Sequence, residues 1–484
     1  MTHELRHNAG TTSMRASTAN AHTFSQARAM QSFSSSVGHL AGLVSRRTLL
    51  ADGLVEAAVQ FRDGHIAACD ANPTRGMLDC GDLLVLPGIV DLHGDAFERA
   101  VMPRPGVAFP YDTALADVDG QLLANGITTE FHGVTYSWEG GLRGHAYALR
   151  MLDTLEAMRP HLGAEYLMHL RFELHHADGV ADALAWMAAG RVHFLSFNDH
   201  LPMMRDKLGD ARKLAQYADR AECDVDTFRT RLDTAAVNVH KLDEVLGVLA
   251  RAAQQRGIRM ASHDEPDVAT RNTFHAHGCT VTEFPLTEEV ARAARAHGGH
   301  IVFGAPNVVR GGSHNGAPNA AAMVAAGLGT VLASDYYYPA LLAAPFKLAE
   351  RGVVPLAQAW DLVAANPAEA AGLTDRGRFA TGLRADAIVV DDHRPACRAW
   401  WLPWWEAACA TPPGICRLSP EDLAADGRTA ATVACAPQRL AIRALPAAAR
   451  ALVHAGHPLA RPLRAARRAD RHRCAPTAGP RRPY

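Results

Sequence analysis

The sequence predicts an α/β protein, a (β/α)8 barrel with a smaller β-domain at its flank. Three observations carry this. Between residues 86 and about 340, short β-branched runs alternate with helix-patterned stretches through eight repeats, the length and rhythm of a closed parallel barrel. Polar residues able to do chemistry recur at the ends of those runs, where a barrel of this kind builds its site. Before residue 86, Asp-Gly punctuates alternating apolar runs, the mark of antiparallel hairpins. A doubly wound sheet is the fold alternative, but no G-x-G-x-x-G follows the first strand.

Residues 1–45 hold a single acid, Glu4, among Ser, Thr, Ala and Arg, and read as a disordered tail. Residues 46–85 read as short strands. The barrel strands are expected in LPGIVDLHGD, GITTEFHGV, AEYLMHLRFEL, RVHFLSFNDH, GIRMASHDE, GCTVTEFPL, HIVFGAPNVV and GTVLASDYYY. Helical periodicity falls between them, at 142–159, 178–189, 205–221, 226–256 and 316–327. A helix over 355–372 closes the barrel, 86–372. Residues 373–392 then return as a strand to the β-domain of 46–85. Residues 393–484 are rich in Ala, Arg and Pro, with four of the seven Trp in WWLPWW, and read as a disordered extension.

Bulk properties narrow the function. The 484 residues are 48% hydrophobic, without the run of roughly 20 apolar residues that spans a bilayer. A net charge of −1 hides an asymmetry, because the segment after Asp392 has 15 Arg, no Lys and five acids. The body is therefore acidic and unsuited to nucleic acid. Nine cysteines, an odd number without a C-x-x-C pair, argue against a zinc ribbon and a disulfide framework and point to a reducing cytoplasm. A homo-oligomer stays open.

The first strand ends in His93 and Asp95. Two residues apart on one strand, they share a face and can grip one divalent ion. Glu173, His200 and His263 end later strands, and imidazole mixed with carboxylate suits zinc, or manganese, as one or two ions. Glu173 can bridge two such ions. Asp335, after the eighth strand, can take the proton of the water they activate. Each residue also has a plainer reading. Asp95 can orient His93, Glu173 can pair with Arg171 or Arg99, the histidines can be core residues, and Asp335 can cap a helix.

The loop GAPNVVRGGSHNG places Arg310, Ser313 and His314 beside two glycines after strand seven, and Arg104 follows the first strand. Glycine lets an anion approach the backbone, arginine binds phosphate bidentately, and barrels often seat phosphate after strands seven and eight. An ordinary charged loop is the alternative.

These motifs together, LPGIVDLHGD with PRPGV, LRFE, SFNDH, ASHDE, GAPNVVRGGSHNG and ASDYYYPALL, resemble the PhnM family of the amidohydrolase superfamily over residues 46–392. The resemblance implies a metal-dependent barrel with a small β-sandwich domain. It also implies cleavage of α-D-ribose 1-methylphosphonate 5-triphosphate to the 5-phosphate and diphosphate in the carbon–phosphorus lyase pathway. His93, Asp95, Glu173, His200 and His263 map onto its metal ligands and Asp335 onto its catalytic carboxylate. The chain departs from wider superfamily habit in having H-G-D for H-x-H and Glu173 for a carboxylated lysine. Its ligand histidines sit on strands four and five instead of five and six. A final strand after ADAIVVDD is expected and not evident. Two other functions remain open: C–N bond hydrolysis or deamination of a cyclic substrate, and a non-catalytic barrel that binds a phosphorylated ligand.

Overall fold

Eight runs dense in Val, Ile, Leu and Phe can be buried on both faces only in a parallel sheet covered by helices. The computed structural model describes residues 40–69, 72–104, 106–313, 316–392 and 398–401. In it these runs form one sheet, with all eight expected strands present in order. They are β6 (Ile89–Gly94), β7 (Ile127–Tyr136), β8 (Glu165–Glu173), β9 (Phe194–Asn198), β10 (Arg259–His263), β11 (Val281–Glu283), β12 (His300–Gly304) and β13 (Val331–Ala333). Every neighbouring pair is parallel. A parallel bridge between Gly94 and Asp335 joins the first strand to the last. Two hydrogen bonds secure that seam, Asp335 N–H to the His93 carbonyl at 3.0 Å and Asp95 N–H to the Asp335 carbonyl at 3.1 Å.

The lumen is filled low down. Val90, Leu92, Phe131, Leu167, Phe194, Ala261, Val281, Val302, Val331 and Ala333 form one buried cluster, to which every barrel strand contributes. This apolar plug leaves the polar side chains to the C-terminal layer above it. Three of the expected helices divide in two, and the one expected over 355–372 is Leu356–Asp361 followed by Ala365–Ala371. The 226–256 pattern is two helices, Val225–Val237 and Leu242–Gln255. Between them, the Asn238 amide donates to the His175 carbonyl, 63 residues away, at 3.1 Å, and His240 Nδ1 bonds the Val237 carbonyl at 2.7 Å, a local bond that competes with the helix. The 205–221 pattern likewise divides, and Asp210 caps the helix Ala211–Arg220 by accepting from Arg212 N and Lys213 N.

The second sheet runs β15-β14-β5-β1-β2-β3, with β4 (Met77–Asp79) alongside β1. Its strands are β1 (Gly42–Leu50), β2 (Gly53–Arg62), β3 (His65–Cys69), β5 (Leu84–Pro87), β14 (Ala387–Asp391) and β15 (Arg398–Trp401). Alternation divides its two faces. Leu84, Leu86, Ile388 and Val390 join the core around the barrel, whereas Val85, Ala387 and Val389 join Leu43, Val59, Phe61 and Ile66 on the other side. Residues 84–87 and 387–390 pair antiparallel.

Both expected boundaries shift. The first strand starts at Gly42, inside the 1–45 tail, because Leu43 is wholly buried and Gly42 lies against Val59, whose carbonyl a Cβ would approach to 2.3 Å. Arg398–Trp401, inside the 393–484 extension, pairs antiparallel with β14 and occupies the place where no closing strand was evident. Its two tryptophans favour an extended backbone. The expected tails at 1–39, 393–397 and 402–484 lie outside the described residues. Among the described residues no helix is long and apolar enough to cross a membrane.

Candidate active site

The C-terminal ends of the barrel strands converge on a cluster of imidazoles. His93 ends β6 with its Nδ1 at 2.9 Å from Glu283 Oε1 on β11. The rings of His93 and His263 lie 5.4 Å apart, and those of His200 and His263 lie 5.3 Å apart. Two sets of donor atoms result, each within 4.8 Å of one another: His93, His263 and Glu283, and His200, His263 and Asp264. His263 belongs to both. Imidazole with carboxylate oxygen is a donor set for a divalent metal of the zinc or manganese kind.

Burial and charge tune these groups. Burial, then the neighbouring Arg171, holds His93 well below its ordinary pKa, so its ring is neutral. Burial would lower His200 too, but Glu173 and Asp264 beside it raise it to about 9. Burial would raise Glu173, but His200 bonded to it through Nδ1 brings it down to about 2. His169 packs edge-on against His93, with ring centres 5.2 Å apart, and burial lowers it to about 3.

Asp95 and Glu173 stand outside both donor sets. Asp95 Oδ2 accepts from Arg171 Nη1 at 3.2 Å, while Arg171 Nη2 lies 3.3 Å from His263 Nε2. Glu283 and Asp264, both visible at strand ends in the sequence, complete those two sets. What the sequence lacked was distance: β11 ends beside β10, in register with it at His263 and Glu283.

Asp335 begins the loop after β13, with φ at +54°. Asp264 and Phe284, the first residues beyond β10 and β11, share this left-handed conformation, with φ of +55° and +53°. Such strain in residues other than glycine concentrates at functional sites. Burial, then the charge of Asp95, raises the Asp335 carboxyl to about 8. Its neighbour Tyr336 links it to the arginine loops, because Arg310 Nη1 donates to Tyr336 OH at 3.4 Å and Arg99 donates to its carbonyl. Arg104 is exposed on the loop after β6, and Ser313 Oγ accepts from Ala317 N at 3.1 Å. His314 lies outside the described residues.

No family model matches the chain. A protein of Escherichia coli strain K12, alpha-D-ribose 1-methylphosphonate 5-triphosphate diphosphatase, is 32% identical over 370 residues, covering 73% of this chain and 97% of that protein. Among solved structures, Aspergillus niger ochratoxinase has a TM-score of 0.51 at 15% identity, covering 76% of this chain and 98% of its own. The 5-methylcytosine deaminase of Klebsiella pneumoniae has a TM-score of 0.51 at 13% identity, covering 78% of this chain and all of its own. At such identities these two likenesses concern the fold. The barrel and the relative together define a hydrolase built on a (β/α)8 barrel. Within that class the chain belongs to the family of the Escherichia coli protein, the PhnM family.

Proposed function

We propose that this protein hydrolyses α-D-ribose 1-methylphosphonate 5-triphosphate to the corresponding 5-phosphate and diphosphate. The observation that carries the reading is the pair of donor sets meeting at His263, beside a strained Asp335 and the arginines that reach Tyr336. The name of the Escherichia coli relative supplies the substrate. The donor chemistry fits a divalent metal: His263 Nδ1 and Glu283 Oε2 are buried without a hydrogen-bond partner, and His93 is held neutral. His93, His200, His263, Glu283 and Asp264 would hold zinc or manganese, with Glu173 and Asp95 steering His200 and Arg171. A bound ion there would polarise a phosphoryl oxygen and acidify water.

The remaining work falls to side chains. Asp335, in its ionised form, receives the proton of the attacking water. The water oxygen forms a new bond to phosphorus as the bridging oxygen leaves with diphosphate. Arg310, Arg99 and Arg104 present cations along the mouth to orient the anionic substrate. The partly buried Phe284 and the buried His169 pack against the ring of His93 and keep bulk water from the reacting centre.

Phosphorus NMR of the zinc- or manganese-loaded protein with the ribosyl triphosphate tests this. A diphosphate resonance is expected with wild type and lost in Asp335→Asn. No diphosphate from a folded, metal-loaded protein overturns the reading and directs the search to cyclic amides and deaminase substrates.

A further inference from the structure

A second polar construction stands at the barrel mouth, and the proposed reaction does not use it. Glu139, on the loop after β7, is buried, and three guanidiniums converge on it. Arg143 Nη1 donates to its Oε1 at 3.2 Å, Arg220 Nη2 to its Oε2, and Arg231 Nη1 to its main-chain carbonyl at 2.6 Å. Arg220 and Arg231 lie on the helices Ala211–Arg220 and Val225–Val237, within the excursion between β9 and β10. That excursion has its own core of Met204, Leu214, Phe228 and Leu232, against which Trp138 packs. Loop and helices meet at van der Waals range. A Cβ at Gly140 would lie 2.5 Å from Arg231 Nη1, and one at Gly141 would lie 2.5 Å from the Arg220 carbonyl.

Among the described residues Glu139 is the one carboxylate hydrogen-bonded to both Arg143 and Arg220, while Glu98 acts on both from farther off and, with Glu173 and Asp95, helps hold Arg143 above its ordinary range. Both Nε atoms are buried without a hydrogen-bond partner. Burial, then Arg143 itself, holds Arg220 below the ordinary arginine range. Both side chains are only partly buried, 13% and 24% exposed, so their outward N–H groups can still reach a multivalent anion. The pair borders the strand-end cluster, since Arg143 feels Glu98, Glu173 and Asp95. It lies on the side of strands two and four, whereas Arg99, Arg310 and Tyr336 lie on the side of strands one, seven and eight.

We propose that Arg143 and Arg220 form the subsite for the diphosphate end of a polyphosphate substrate, across the mouth from the loop 304–316. The proposal rests on the phosphoric-anhydride reading above and assigns its two anionic ends to opposite walls. The terminal diphosphoryl group, the more highly charged end, goes to the wall with two partly buried guanidiniums. Their planar forks suit its oxygens.

Calorimetric titration of inorganic diphosphate, and separately of methylphosphonate, into the metal-loaded protein tests the assignment. In Arg220→Gln the diphosphate Kd is expected to rise by about tenfold or more, the scale of one lost charge-assisted contact. Methylphosphonate binding should be unchanged, and Arg220→Lys should recover part of the loss. Equal diphosphate affinity in wild type and variant, or equal weakening of both ligands, overturns the subsite. A second measurement needs no variant. Phenylglyoxal labelling of wild type, mapped by peptide mass, should be blocked at Arg143 and Arg220 by diphosphate and not by methylphosphonate; labelling unchanged by diphosphate overturns it too. Protection without turnover of the ribosyl triphosphate would refute the substrate and keep the subsite. Turnover without protection would do the reverse.

Discussion

At the scale of single residues the site is defined by groups kept from their comfortable states. Asp335 ionises near 3.8 in an unfolded chain and near 8 in the fold. Between those values the native protein holds a proton that the unfolded chain has released, so raising the pH through this window removes stability. Asp335→Asn in metal-free protein should therefore melt progressively higher than wild type as pH rises from 5 to 8; parallel melting curves across that window would contradict it. The same variant, loaded with metal, should lose activity by about 10²–10⁴-fold, the usual worth of a positioned proton acceptor. Glu283→Gln makes a second case. Its carboxylate lies 2.9 Å from His93 Nδ1, and the variant should purify with less bound metal than Asp95→Asn, measured by elemental analysis. Equal loss in both would return Asp95 to the donor set.

At the scale of elements, the loop after β7 is held by contacts that leave little room for change. Gly141 has φ at +53°, and a Cβ there would lie 2.5 Å from the Arg220 carbonyl and 2.6 Å from the Ala221 carbonyl carbon. Gly141→Ala forces backbone apart from backbone. It should cost about 2–4 kcal/mol of stability, with the helix Ala211–Arg220 displaced. A melting temperature within a degree of wild type would show that the loop relaxes freely. The strand ends themselves were readable from sequence, since β-branched runs stopping at His or Asp mark them. The division at Asn238 was not, because it depends on a bond from its side chain to His175, 63 residues away.

Across the whole molecule, the lower rim of the barrel is tied to the β-domain by charge. Glu165, at the start of β8, receives Arg376 and Arg384 from the segment leading into β14, and Arg376 Nη1 also donates to Thr129 Oγ1 at 2.9 Å. Burial would raise the Glu165 carboxyl, but the two arginines hold it below its ordinary 4.5. A depressed carboxylate contributes stability above its unfolded pKa and loses it as the pH falls through the folded value. Glu165→Gln should cost about 1–2 kcal/mol at pH 7, allowing for partial solvent screening. That difference should shrink below about pH 4.5, as followed by denaturant unfolding. A difference independent of pH would remove ionisation from the explanation.

The amino-acid sequence by itself determined the barrel, its eight strands in order and the strand-end positions of His93, Glu173, His200, His263 and Asp335. Periodicity and strand-terminal polarity are local properties that any folded neighbourhood must respect. The tertiary structure alone decided which carboxylates face which imidazoles, that Arg398–Trp401 completes the second sheet, and that Arg220 meets Arg143 over Glu139. Those pairings join residues tens to hundreds of positions apart. Their distances follow from how strands register and helices dock, which no local pattern in the chain encodes.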